Sequence, residues 1–186
     1  MTIKSAFQRL ASATAALDEA LTGVATCIAD HPEDGDLVVP VMMSDAADDL
    51  CGWLHELSNA TRRGLVVADR NPESVVGILE TCHLDCDHIA RRLLTGLAGD
   101  GARAALSQLA IDRPGAWASW AVNVESMTAE LWVLTWAVQD AVRQCWGELG
   151  ARLAGRQIRV EASLIDPLPV AAGRPSSESE ETSYGR

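Results

Sequence analysis

The sequence is poor in basic residues and in two of the three large aromatic residues. Its 186 residues include 15 Lys and Arg against 26 Asp and Glu, which gives a net charge of −11. A field of that sign repels phosphate backbones and anionic lipid, so it disfavours nucleic acid and membrane surfaces as partners. One Phe and one Tyr stand beside six Trp, so indole is the main bulky side chain available to a core.

Long uninterrupted hydrophobic runs are also missing. The most apolar stretch, residues 116–142, contains carboxylates such as Glu125 and Asp140, whose burial in lipid would be costly. Lys4 and Arg9 interrupt the N-terminal residues, where a signal peptide needs an apolar core. We therefore expect a cytoplasmic protein that does not span a membrane.

The motifs of common hydrolases and nucleotide-binding enzymes are missing as well: there is no Walker loop, His-Glu-x-x-His or Gly-x-Ser-x-Gly. Residues 99–104 fit the dinucleotide fingerprint Gly-x-Gly-x-x-Ala, but they follow a predicted helix, whereas the fingerprint must follow a strand. Glu80 and His83 form one Glu-x-x-His pair, whereas a di-iron carboxylate bundle needs two. The sequence thus predicts no cofactor and no catalytic residue of these kinds.

Apolar residues at alternating spacings of three and four predict long amphipathic helices. The first covers residues 3–30, and its predicted seam is Ile3, Phe7, Leu10, Thr14, Leu17, Leu21, Val24 and Ile28. Start signals at Ser44, Asn71 and Asp112 predict three more, with a short helical piece near residues 102–110. We predict an all-α, up-and-down four-helix bundle over residues 1–166, with a long Trp-rich C-terminal helix. Residues 167–186 form an acidic Ser/Glu-rich tail that we expect to be disordered.

Two segments predict extended backbone instead of helix. Residues 37–41 are short and rich in branched side chains, and Pro40 disfavours a regular helix there. Residues 158–164 alternate between apolar and polar side chains with the period of a strand. These segments could form a short two-stranded pairing.

Five cysteines, an odd number, indicate free thiols. Cys82 and Cys86 fall on the seam of the third long helix and Cys145 on that of the fourth, so we expect all three to be buried. The spacing of Cys82, His83 and Cys86 makes them weak candidates for a metal site. Burial of the thiols argues against that site, and we predict no metal.

Two histidines, His55 and His88, project away from the apolar seams and should be exposed. The string from His55 to Asn59 (His-Glu-Leu-Ser-Asn) resembles the H-box of histidine-kinase dimerisation helices. The string from His88 to Arg91 is similar to that of monodomain phosphotransfer proteins. Because no glycine-rich nucleotide-binding motif accompanies them, the resemblance implies a phospho-acceptor histidine without autokinase activity.

The last long helix carries five tryptophans on one broad arc: Trp117, Trp120, Trp132, Trp136 and Trp146. Core packing would explain them, and so would a protein interface or an aromatic-lined ligand cleft. The arc is wider than one neighbouring helix needs. Our leading hypothesis is therefore a non-catalytic regulatory or scaffolding protein that binds another protein and forms a homodimer. The alternatives are histidine phosphotransfer through His55 or His88, and a small-molecule or metal sensor.

Overall fold

The computed structural model describes residues 2–165 apart from Asp34, Asp36, Asp69, Arg70, Pro72 and Glu73, with side chains up to residue 155. The described residues form five helices and no strand: α1 (Ile3–Ala29), α2 (Val38–Val67), α3 (Val75–Gly96), α4 (Asp100–Asp112) and α5 (Ala116–Ile165). Four of the five are long, and the short α4 connects α3 to α5. The prediction of an all-α fold is therefore confirmed.

Neighbouring long helices run in opposite directions. Arg9, near the start of α1, donates to the side chain of Gln144 at 3.3 Å, late in α5. At the other end, Trp120 Nε1 donates to the carbonyl oxygen of Cys27 at 2.8 Å. α1 packs between α2 and α5, and α2 packs between α1 and α3, so α2 and α5 occupy opposite corners. The predicted up-and-down four-helix bundle is confirmed.

The first helix illustrates how the sequence sets both the limits and the buried side of an element. The Thr2 hydroxyl accepts the backbone N–H of Ser5 at 3.2 Å, and the Ser5 hydroxyl accepts that of Thr2 at 3.0 Å. This capping box satisfies two donors that the first turn would leave free. All eight seam residues predicted for α1 are buried. Each fully buried large apolar side chain contributes about 2 kcal/mol of burial free energy.

α1 and α2 approach each other closely at Gly64. A Cβ atom added there would overlap the ring of Phe7, which is completely buried. Glycine at this position therefore lets the two helix backbones meet around an aromatic side chain. None of the helices in the described part of the chain has a stretch apolar enough, over sufficient length, to cross a membrane.

The predicted extended segment at residues 37–41 is wrong. α2 begins at Val38, and the backbone N–H of Val41 donates to the carbonyl oxygen of Leu37 at 2.9 Å. Pro40 is tolerated because it lies in the first turn, where a backbone N–H has no intrahelical acceptor. Ser44, the predicted start of this helix, lies inside it.

The predicted strand at residues 158–164 is also wrong, because α5 continues to Ile165. Extending a helix adds one hydrogen bond per residue, whereas a strand needs a partner, and residues 38–41 are themselves helical. α3 begins at Val75, not at Asn71, whose carbonyl accepts the Ser74 N–H at 3.2 Å. The acidic tail at residues 167–186 lies outside the described residues.

Candidate functional site

The structure divides the five tryptophans of α5 into two groups. Trp117 and Trp120 are buried, with their rings edge to face at 5.6 Å between centroids. The hydrogen bond from Trp120 to the Cys27 carbonyl ties α5 to the end of α1. These two residues therefore belong to the bundle core.

The second group lies on the side of α5 that faces α3 and α4. Trp132 is partly buried and lines a surface groove of about 420 Å³ together with Leu94 and Ala98 of α3. Trp136, one turn further along, is 50% exposed and meets Trp132 edge to face at 5.7 Å. Trp146 is partly buried against the core. The groove and the exposed indole together form an apolar surface between helices.

Two exposed aliphatic residues extend this surface. Val133 is 66% exposed on the groove wall, and Leu94 opposite it is 46% exposed. Both residues lie outside the predicted seams, which contain only the buried side of each helix. We define the α3–α5 flank as Leu94, Ala98, Trp132, Val133 and Trp136.

Charged side chains of both signs surround the α3–α5 flank. Arg103 and Glu125 line the groove itself. A second groove between α3 and α5, of about 140 Å³, is lined by Asp87 and Arg143 together with His83, Cys86, Gln139 and Val142. Arg103 pairs with Asp100 at 3.0 Å and Arg143 pairs with Asp140 at 3.3 Å, each on its own helix. The five residues that define the flank are themselves uncharged.

Both histidines with a possible phosphotransfer role are exposed, as the sequence predicts. His55 lies on the outer side of α2. His88 of α3 lies flat against Trp53 of α2, with 4.2 Å between ring centroids and 10° between planes. The stack covers one face of the His88 imidazole, whereas none of the described aromatic rings stacks on His55.

A buried carboxylate lies one turn from the stacked imidazole. Asp85 is 6% exposed, and its Oδ2 has no hydrogen-bond partner among the described residues. Burial, and secondarily the negative charge of Glu56, raises the pKa of the Asp85 carboxyl. Its position three residues after Cys82 and four before Ile89 places it beside the seam. That spacing is the sequence signal that could have identified it.

The three thiols expected in the core are buried there. Burial raises the pKa of Cys82 to about 11 and the pKa values of Cys86 and Cys145 to about 12. A metal ligand must be a thiolate, so these thiols are poor ligands at neutral pH. Of the candidate metal group, His83 is exposed and lines a groove with Cys86, whereas Cys82 is buried in the core. No three His, Cys, Asp or Glu side chains in the described ranges are arranged to hold a metal ion.

Comparison with known proteins adds no functional assignment. No protein-family model, no curated protein and no solved structure matches the chain. The function must therefore be argued from the surfaces of the bundle.

Proposed function

We propose that the chain is a non-catalytic regulatory or scaffolding protein that forms a homodimer through the α3–α5 flank. The observation that carries this proposal is Trp136, a large apolar side chain that is 50% exposed beside a groove with a mainly apolar lining. Exposed Val133 and Leu94 enlarge the apolar area around it. Apolar patches of this kind are typical of interaction sites, and Trp is enriched at binding hot spots.

The lack of charge on the flank residues favours a second copy as the occupant of the flank. A two-fold dimer brings the same surface of both copies together, so a flank of one sign would repel itself. Leu94, Ala98, Trp132, Val133 and Trp136 are all uncharged, so two copies can bring these residues together without placing like charges at the centre of the interface. In this arrangement Trp136 of each copy enters the groove beside Trp132 of the other.

Light scattering coupled to size-exclusion chromatography tests the proposal. We expect the full chain to have twice the 19.8 kDa mass of one copy, and Val133→Glu to be monomeric. Val66→Glu is the matched control, because Val66 is 64% exposed on α2, away from the flank. A monomeric full chain at all concentrations, or a dimeric Val133→Glu variant, would contradict the proposal.

Histidine phosphotransfer is a second candidate, favoured by the exposure of His55 on a long helix of a four-helix bundle. A ring nitrogen must reach the aspartyl phosphate of a response regulator, which an exposed imidazole permits. Incubation with a phosphorylated response regulator should label the wild-type chain and His88→Gln but not His55→Gln. Equal labelling of wild type and His55→Gln, or no labelling of either, would exclude this role for His55.

A further inference from the structure

The outward side of α2 begins with a cluster of exposed apolar side chains. Val38, Val41 and Met42 are 66%, 54% and 44% exposed, and Leu37 just before them is 44% exposed. Residues three and four apart lie on the same side of a helix, so Val38, Val41 and Met42 form one apolar patch. This patch lies at the start of a helix whose other side is buried in the core.

Carboxylates continue the same side toward the middle of the helix. Asp45, Asp48 and Asp49 are exposed one to two turns after Met42. Asp49 forms an ion pair with Arg92 of α3 at 2.8 Å. One turn later lies Trp53, 37% exposed and stacked on His88. We define the α2 face as Val38, Val41, Met42, Asp45, Asp48 and Trp53.

Carboxylates outnumber basic side chains around this face, where Arg92 pairs with Asp49 and Arg113 lies beside Gly35. Between Arg9 and Arg62 the sequence has no Lys or Arg but contains ten Asp and Glu residues. The eight that the structure describes are all exposed: Asp18, Glu19, Asp30, Glu33, Asp45, Asp48, Asp49 and Glu56. Burial, and then the charges of Asp48 and Asp18, raises the pKa of the Cys51 thiol. Asp18 of α1 and Asp48 of the α2 face therefore both lie near the Cys51 thiol.

We infer that the α2 face is a docking surface for a basic amphipathic helix of another protein. Val38 to Trp53 spans about 22 Å along the helix axis, a length that about four turns of a partner helix would cover. Its apolar residues would contact Val38, Val41 and Met42, and its Lys or Arg residues would contact Asp45 and Asp48. A second copy of this chain would instead bring like charges together. The inference concerns a different corner of the bundle from the α3–α5 flank and does not depend on the homodimer.

Two synthetic 18-residue helical peptides can serve as probes, one built from Leu and Lys and the other from Leu and Glu. Fluorescence anisotropy with the full chain at low salt should detect binding of the Lys peptide and none of the Glu peptide. The double variant Asp45→Asn/Asp48→Asn should weaken binding about tenfold, because it removes the facing charges. Val41→Ser/Met42→Ser should also weaken binding of the Lys peptide, because it removes apolar contacts from the α2 face.

Matched controls distinguish binding of the Lys peptide at the α2 face from general electrostatic attraction of the peptide to an acidic protein. Glu80→Gln/Glu130→Gln removes the same number of charges from exposed positions on α3 and α5 and should change the affinity less than about twofold. Val133→Glu should leave peptide binding unchanged whether or not the chain dimerises. Equal losses in the two charge-removing double variants, or equal binding of the Glu peptide, would overturn the inference.

Discussion

The imidazole of His88 lies parallel to the indole of Trp53, with 4.2 Å between their centroids. The pair joins α3 to α2 at the outer edge of the bundle, one turn from the ion pair between Asp49 and Arg92. The two rings can meet only at the axial offset that α2 and α3 have in this bundle.

Removing either ring should therefore lower the free energy of unfolding less when the other ring has already been removed. We expect a double-mutant cycle of Trp53→Leu with His88→Ala to give a coupling of about 1 kcal/mol in the free energy of unfolding. The same cycle with His55→Ala should give a coupling near zero. Denaturant unfolding measures both values. Equal couplings for the two histidines would mean that the stack does not stabilise the fold.

The buried carboxyl of Asp85 should make stability depend on pH. Its pKa is raised in the folded state, so the folded protein holds the proton more tightly than the unfolded chain. Stability from this group is therefore highest below the unfolded value of 3.8 and falls as pH rises through the folded pKa.

Asp85→Asn removes the buried charge, so this variant should be more stable than wild type at pH 7 by about 1 kcal/mol. The difference should shrink as the pH approaches 3.8, which urea unfolding at several pH values measures. Asp87→Asn on the same helix controls for the loss of one negative charge. A stability gain that is independent of pH would contradict the role assigned to Asp85.

Gly64 should be the glycine of α2 that is least tolerant of a side chain. Gly64→Ala forces a methyl group into the buried ring of Phe7, which should cost about 1–3 kcal/mol of unfolding free energy. Gly52→Ala has open space around the added Cβ and should stabilise the helix by about 0.5–1 kcal/mol. Thermal unfolding of the two variants measures both signs. Similar melting temperatures would show that α1 and α2 can move apart at Gly64 without cost.

The five cysteines should differ in their rates of alkylation. Cys51 is exposed and Cys27 half-buried, whereas Cys82, Cys86 and Cys145 are buried with strongly raised pKa values. Iodoacetamide at pH 8 and mass spectrometry should find Cys51 modified first and the three buried thiols modified only in denaturant. Cys51→Ser should remove the fastest phase. Rapid labelling of Cys145 in the native protein would mean that the packing of α5 against the core opens readily.

The buried side of the fold could be predicted because helical spacing determines it. The eight seam positions of α1 and the burial of Cys82 and Cys86 follow from residues three and four apart. The exposure of His55 follows from the same geometry. These features need no knowledge of how one helix is placed against another.

Other features depend on how the helices are placed against one another, which spacing alone does not determine. The stack of His88 on Trp53 depends on the axial offset of α2 and α3. The groove at Trp132 depends on where α4 leaves space between α3 and α5. The wrong prediction around Pro40 has a local cause: proline disfavours the interior of a helix but fits its first turn.

The positions of α2 and α5 at opposite corners determine what an assembly of this chain could do. If two copies pair through α5, each keeps its acidic α2 side open and the two sides point away from the pairing axis. Such a dimer is bivalent, so it can crosslink two target molecules or hold one two-armed target by avidity. Disrupting the pairing would then remove the crosslinking while each arm retained its own affinity.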